Sequence, residues 1–382
     1  MKIVADANIP FVKEAFSEFG DVEVVSGRSI SGETVADASM LLVRSVTPVG
    51  RELLEGSSVK FVASATMGID HVDAAYLAEN NIGFAYAPGA NANSVAEYVI
   101  AAIILFAEKN SIDLTGKTLG IVGVGNVGGR LFSLANALGL RCLLNDPPKK
   151  KLTKSDFFRD LDTVLAQSDI VSLHVPLTGS GEFPTFHLAG SEFFSKVKKG
   201  AIFINSSRGN VVDEKALQRA RRDRLGGLIV DVWENEPAIS LETLAMADFA
   251  TPHVAGYSYD GKIRGTYMIY EAACAFYFKS KTWRAEKCIQ EGAAQNLDLR
   301  KCPTPLAKAV GASCPIMDDD ARLRETLMMH DAKKRAEHFD GLRAGYPRRL
   351  EFSHFSLQCS NETPRETIDI FRALGFRLGM SC

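Results

Sequence analysis

The chain lacks a long apolar run: the most extended, Tyr98–Ala107, is about half of what a bilayer crossing needs. No membrane span is therefore expected, and Met1–Pro10 meets Asp6 before an apolar core of signal-peptide length can form. There is no C-x-x-C pair. The seven cysteines (Cys142, Cys274, Cys288, Cys302, Cys314, Cys359 and Cys382) are odd in number and widely separated. That spacing fits free thiols better than a disulfide framework or a zinc site, so the expectation is a cytoplasmic protein with no metal. Charge of one sign is also missing, because 44 basic residues face 46 acidic ones for a net −2. No global positive field exists to draw the chain onto nucleic acid or an anionic membrane, so any anionic ligand must be bound locally.

What is present is the composition of a folded globular protein, with 46% hydrophobic and 24% charged residues, which excludes a mainly disordered, collagenous or coiled-coil chain. At about 150 residues per domain, 382 residues predict two or three domains. From Lys2 to Tyr86, short apolar runs (Lys2–Ala5, Val22–Val25, Met40–Val43, Val59–Ala63, Gly83–Ala87) alternate with polar helical stretches, the pattern of a parallel α/β unit. Pro88, Gly89 and the Asn91–Asn93 cluster break it. Ser94 with Glu97 then reads as a capping box opening a helix to about Glu108. Five more strands follow (Leu119–Val122, Arg141–Leu144, Ile170–His174, Ala201–Asn205, Leu228–Asp231), predicting a Rossmann-type doubly wound parallel sheet. Tyr259–Lys279 reads as one long helix. Beyond Lys281 the alternation stops, Arg322–Arg349 looks helical and charged, and Phe352–Gln358 alternates like a strand, so a small third domain is expected.

The strand Leu119–Val122 runs directly into Gly123-Val124-Gly125-Asn126-Val127-Gly128 and an amphipathic helix. Gly123 permits a tight turn, Gly125 a close backbone approach to a pyrophosphate, and Gly128 close packing of helix on strand. The next strand ends at Asp146, spaced to accept the ribose hydroxyls of a dinucleotide. Its charge would repel a 2′-phosphate, favouring NAD, although Lys149, Lys150 and Lys151 could offer a phosphate partner.

Three polar clusters sit just beyond later strands, where open α/β sheets place ligands: Asn205-Ser206-Ser207-Arg208-Gly209, Asp231 to Pro237, and Thr251 to Gly256. They supply what oxidation of a 2-hydroxy acid requires. Arg208 can grip a carboxylate bidentately, His253 can take the hydroxyl proton, and Glu236 can orient the imidazole and favour its protonated form. Oxidation should then quicken as pH rises.

These motifs resemble the D-2-hydroxyacid dehydrogenase family over most of residues 36–278. The resemblance is carried further by Arg44-Ser45-Val46-Thr47, the segments Ser64–Asp73 and Pro88–Tyr98, Asn145-Asp146-Pro147-Pro148, and His253-Val254-Ala255-Gly256-Tyr257. It implies Arg208, Glu236 and His253 as catalytic, and Ser45, Thr66 and Tyr257 as contacts of a small phosphorylated 2-hydroxy acid, with Arg44 the nearest cation for its phosphate. It also implies that Asp146, Val175, Ser206, Asp231 and Gly256 lie near NAD, together with Asn126 and Val127 of the glycine loop and Ser207 and Arg208 beside Ser206. Ala90 stands where the family suggests Cys, and Ser64 where it suggests Gly.

The architecture so implied is a discontinuous flavodoxin-like substrate domain (1–92 and 254–285), an NAD-binding Rossmann domain (93–253) and a small α+β C-terminal dimerisation domain (286–382), hence a homodimer. Two crossing helices would be hinges for closure. Phe339-Asp340-Gly341-Leu342-Arg343 and Tyr346-Pro347-Arg348-Arg349 are the parts of the last domain that match, and Arg348 or Arg349 is a candidate to complete a partner's phosphate pocket. A phosphoglycerate dehydrogenase or hydroxypyruvate/glyoxylate reductase, and a non-catalytic NAD-sensing protein, remain open alternatives.

Overall fold

The computed structural model describes residues 1–290 and 295–379, so Cys382 lies outside the described residues. The chain divides into two compact units, one holding Met1–Asn91 and the segment that starts at Ser258, the other Ala92–Tyr257 and the C-terminal segment.

In the first unit, β1 (Lys2–Asp6), β2 (Asp21–Val25), β3 (Met40–Val43), β4 (Phe61–Ser64) and β5 (Gly83–Tyr86) form a parallel sheet in the order β2-β1-β3-β4-β5. Successive side chains on a strand point to opposite faces. Ile3, Ala5, Met40, Leu42, Phe61 and Ala63 accordingly fall into one apolar cluster, and Val4, Leu41, Val43 and Val62 into another. Both faces are covered, which is why these strands read as continuous apolar runs. The helix Tyr259–Phe276 adds Ile269, Tyr270, Ala273 and Cys274 to the first cluster, so the unit is built from two separate stretches of chain. Ser258 caps that helix by accepting the Gly261 N–H at 2.8 Å. It ends before the expected Lys279, where Phe278 turns to a left-handed φ of 54°.

The second unit contains β6 (Thr118–Val122), β7 (Arg141–Asn145), β8 (Ile170–Leu173), β9 (Ile202–Asn205), β10 (Gly227–Val230) and β11 (Phe249–Ala250), all parallel, ordered β11-β10-β9-β8-β6-β7. The direction of winding reverses between β6 and β8, so the glycine loop after β6 opens at the topological switch point. Strand β11 has two residues, too short to leave a pattern in the sequence.

The apolar run Tyr98–Ala107 lies in the helix Ala92–Lys109, buried on every side, and no helix among the described residues is long and apolar enough to cross a membrane. The capping box expected at Ser94 and Glu97 does not form. The helix starts at Ala92, before Ser94; Ser94 Oγ instead donates to Glu351 Oε1 at 2.8 Å, and Glu97 accepts from Asn93 Nδ2 at 2.8 Å and from the Phe352 N–H at 3.0 Å.

The C-terminal segment carries a small parallel sheet of β12 (Gln295–Asp298), β13 (Phe355–Gln358) and β14 (Arg377–Leu378), with helices Ile316–Arg324 and Ala332–Ala344 between its first two strands. The helical stretch expected over Arg322–Arg349 is thus two helices split by a 3₁₀ turn at Glu325–Met328, and Phe352–His354 is a second such turn before β13. Leu323, Phe339 and Leu342 pack into the apolar core of the second unit, beside Phe203, Val230 and Trp233.

Candidate active site

Side-chain absence shapes the glycine loop. Gly123 has φ +88°, and a Cβ there would sit 2.7 Å from the His174 backbone. At Gly128 a Cβ would meet the Gly123 carbonyl oxygen at 2.0 Å, while a Cβ on Gly125 would meet nothing within 4 Å. The first and third glycines therefore allow strand and helix to touch, and the second leaves open room at the N-terminus of the helix Asn126–Ala137. Val127 is buried beneath the loop, Asn126 is exposed at its rim, and Val175 would be 2.8 Å from a Gly123 Cβ. Asp146 Oδ2 accepts the Val124 N–H at 2.9 Å and Oδ1 the Lys149 N–H at 2.9 Å, which fixes the carboxylate beside the loop with lone pairs to spare for hydroxyl donors. At the end of β9, Ser206 Oγ is buried with no hydrogen-bond partner among the described residues. An open cradle, an oriented carboxylate and an orphaned hydroxyl fit a dinucleotide laid along the strand ends.

Asp231 organises the loop Thr251–Tyr257. Its carboxylate, 1% exposed, accepts the Thr251 hydroxyl at 2.6 Å and the Val254 and Ala255 N–H groups at 2.8 and 3.1 Å, and its carbonyl accepts the His253 N–H at 2.7 Å. Held this way, His253 takes a left-handed φ of 57° and presents its ring to Glu236, with Nδ1 2.7 Å from Glu236 Oε2. The other carboxylate oxygen accepts the Trp233 N–H at 2.9 Å, and the Trp233 indole N–H donates to the Thr251 carbonyl at 3.0 Å. Burial alone pushes the Glu236 carboxyl up, but His253, the Trp233 N–H and Arg343 together hold it below its ordinary value. Burial pushes Asp231 up, against the pull of His253 and its hydrogen-bond donors.

Arg208 lies on the neighbouring loop in extended conformation, Nη1 donating to the Ser207 carbonyl at 2.8 Å, while buried Ser207 donates to Asn205 Oδ1 at 2.8 Å. Gly209 brings that loop against the Glu236 loop, since a Cβ there would lie 1.8 Å from the Trp233 carbonyl oxygen. Gly256 and Tyr257 follow half-buried, and the Tyr257 N–H closes the turn onto the Val254 carbonyl at 2.8 Å. In the first unit, half-buried Arg44 and exposed Ser45 follow β3. Thr66 follows β4, its hydroxyl 2.7 Å from that of Ser64 and donating to the Gly68 carbonyl at 3.1 Å. Ser64, where the resembled family suggests Gly, also reaches His71 Nε2 at 3.1 Å and so braces the Thr66 loop.

Arg349 is corrected: its buried guanidinium donates to the carbonyls of Ser94 and Ala255 in its own chain, at 3.1 and 2.7 Å, so it is not available to a partner's pocket. All three lysines are also engaged, Lys149 Nζ with the Val124 carbonyl, Lys150 with Asp160 and Lys151 with Glu182, the last two at 2.7 Å. Sequence reasoning missed Arg343, on the helix Ala332–Ala344, whose Nη1 is 3.9 Å from Glu236 Oε2 and whose Nη2 is 3.3 Å from the Tyr257 hydroxyl. The only available signal was the matched stretch Phe339–Arg343, which placed Arg343 but gave it no partner.

Residues 104–255 match the family described as D-isomer specific 2-hydroxyacid dehydrogenase, NAD binding domain. Solved relatives of that class include the D-lactate dehydrogenase of Aquifex aeolicus complexed with NAD and lactic acid, at TM-score 0.62 and 26% identity, covering 73% of this chain and 96% of its own. The NAD-bound 3-phosphoglycerate dehydrogenase of Entamoeba histolytica is similar at TM-score 0.63 and 26% identity, with 73% and 95% covered. The chain is an NAD-binding dehydrogenase of this class. Over nearly its whole length it is also similar to erythronate-4-phosphate dehydrogenases, being 45% identical to that of Salinibacter ruber with 94% of both chains covered. To that of Proteus mirabilis it is 41% identical, with 98% and 99% covered. The chain belongs to the erythronate-4-phosphate dehydrogenase family.

Proposed function

We propose that the protein oxidises 4-phospho-D-erythronate to 3-hydroxy-2-oxo-4-phosphobutanoate with NAD, a step in pyridoxal 5′-phosphate (vitamin B6) synthesis. The observation that carries this reading is the 2.7 Å contact of His253 with Glu236, on a chain 40–45% identical to relatives of that name. NAD would supply the hydride acceptor; Gly123, Gly125, Asn126, Val127 and Gly128 would hold its pyrophosphate and Asp146 its ribose, and Val175, Ser206, Ser207, Asp231 and Gly256 would line the remainder. Arg208 fixes the substrate carboxylate so that C2 meets that acceptor. With Nδ1 engaged by Glu236, Nε2 of His253 is the nitrogen that takes the hydroxyl proton as the C2 hydrogen leaves with its electron pair, and returns it in the reverse reaction. Glu236 balances the imidazolium so formed. Arg44, Ser45, Thr66 and Tyr257 are assigned to the substrate, Arg44 to its phosphate.

We further infer a homodimer in the cytoplasm. The exposed Met317, Leu327 and Met328 of the C-terminal segment support a protein-covered face, and the free thiols of Cys142, Cys274, Cys302 and Cys314 support a reducing compartment. Turnover of 4-phosphoerythronate, 3-phosphoglycerate and glycerate with NAD and with NADP tests the function. Highest kcat/KM with 4-phosphoerythronate and NAD is expected, and preference for an unphosphorylated acid would overturn the reading.

A further inference from the structure

The C-terminal segment reaches the Glu236–His253 pair through Arg343. Arg343 is 15% exposed and Glu236 19%, so the 3.9 Å between Nη1 and Oε2 is spanned largely out of water. The same guanidinium donates to the Tyr257 hydroxyl at 3.3 Å and lies 5.9 Å from the ring centroids of Tyr257 and Phe339. Tyr346 packs edge-on against Tyr257, ring centroids 5.8 Å apart. The guanidinium's Nε is buried with no hydrogen-bond partner among the described residues, which is costly for an arginine whose work is only to tie two helices together.

We propose that Arg343 is a positioning residue of the active site: its guanidinium bridges Glu236 and Tyr257, aiming the carboxylate at His253 and setting the charge balance in which the imidazole gains and loses its proton. This rests on the assignment of acid–base chemistry to His253. Two cations then flank one carboxylate whenever the ring is protonated, and the outer one opposes that protonation. Among the described residues, the buried Asp231 carboxylate and the Tyr257 hydroxyl also face the dyad. Asp340 attracts Arg343 from its own helix, and Glu234 on the Glu236 loop is turned to His187 at 2.9 Å.

Arg343→Met removes the charge and keeps the stem; Arg343→Lys keeps the charge and loses the fork. The acid limb of kcat/KM for oxidation should move to higher pH in Arg343→Met, by about 0.5–1 unit for a charge lost at this range. In Arg343→Lys it should move less than half as far, while kcat falls in both because Glu236 and Tyr257 are held less well. Histidine-ring ¹⁵N shifts of the full chain, titrated without substrate, should report the same displacement at His253. An acid limb and a ring titration that do not move in Arg343→Met, or that move equally in Arg343→Met and Arg343→Lys, would overturn the proposal. If circular dichroism shows Arg343→Met unfolded, Arg343→Gln is read against Arg343→Lys by the same criteria. Failure of the wild type to turn over 4-phosphoerythronate would instead overturn the proposed function, leaving the ring titration to decide the role of Arg343.

Discussion

The loop Gly123–Gly128 and the loop Thr251–Tyr257 both end strands of one sheet, yet they are held in opposite ways. The first is shaped by what is missing, since two of its glycines sit where any Cβ would strike backbone. The second is shaped by side chains from far away in the chain: Asp231 and Trp233 hold Thr251, Val254 and Ala255, while Arg343 reaches Tyr257 and Arg349 the Ala255 carbonyl. A surface that receives a pyrophosphate needs bare N–H groups and close approach, which glycine gives locally. A surface that moves a proton needs a ring held within a fraction of an ångström, which takes walls on several sides.

Removing a wall should therefore cost the second loop more than filling space costs the first. Asp231→Ala leaves a hydroxyl and two N–H groups buried without their acceptor, and should lower unfolding free energy in urea by about 3 kcal/mol or more and abolish turnover. A loss under about 1 kcal/mol would show that water replaces the carboxylate freely. His253→Ala should cut kcat about 10²- to 10⁴-fold while the melting temperature stays within a few degrees, separating the chemistry from its support. Gly128→Ala and Gly125→Ala divide the first loop in the same spirit. The former, with its Cβ 2.0 Å from a carbonyl oxygen, should destabilise by about 2–3 kcal/mol; the latter should stay within about 1 kcal/mol yet weaken NADH binding, read by fluorescence titration, at least about tenfold.

The contrast also explains how much could be read from sequence. Apart from the two-residue β11, the strands of both large sheets were legible because their cores need unbroken apolar runs, and the glycine loop because its requirement is contiguous. Arg208 and Glu236 could be named because each follows a strand that the pattern located, and His253 because it stands in the polar cluster Thr251–Gly256, although the two-residue strand before it left no pattern; the structure brings His253 and Glu236 into contact. What holds them was not legible. Ser94 and Glu97 fit a local capping box equally well, and only the folded chain shows Glu351 and Phe352 claiming them from more than 250 residues away. Arg349 reads in the sequence as a candidate for a partner's phosphate pocket, and only the folded chain places its guanidinium between the Ser94 and Ala255 carbonyls.

Two carboxylates, half-buried Glu236 and buried Glu97, carry the comparison into pH. The folded state holds Glu236 below its ordinary value, so it contributes stability that is complete above the usual carboxylate range and lost as pH falls through the depressed value. Glu97 is opposite: burial, then Glu351, raises it well above the ordinary value, so it lends stability when protonated and withdraws it as pH rises through the raised one. Urea midpoints measured from about pH 2.5 to about pH 9 should show Glu236→Gln flattening the acid-side fall and Glu97→Gln flattening the alkaline-side fall. The same slopes in both variants would mean that neither group sets them.

The smallest effect is expected at the lysines beside the glycine loop, where charge count alone misleads. Lys150 and Lys151 form exposed pairs with Asp160 and Glu182, so their charges are already answered, and water and salt screen what remains. Lys150→Ala and Lys151→Ala should each change unfolding free energy by less than about 0.5 kcal/mol. They should also leave the ratio of kcat/KM for NAD over NADP within about twofold, because Asp146 repels a 2′-phosphate from a position the backbone fixes on both of its oxygens. A collapse of that ratio in either lysine variant would move cofactor choice from the fixed carboxylate to the mobile cations, and so out of the loop whose shape depends on lacking side chains.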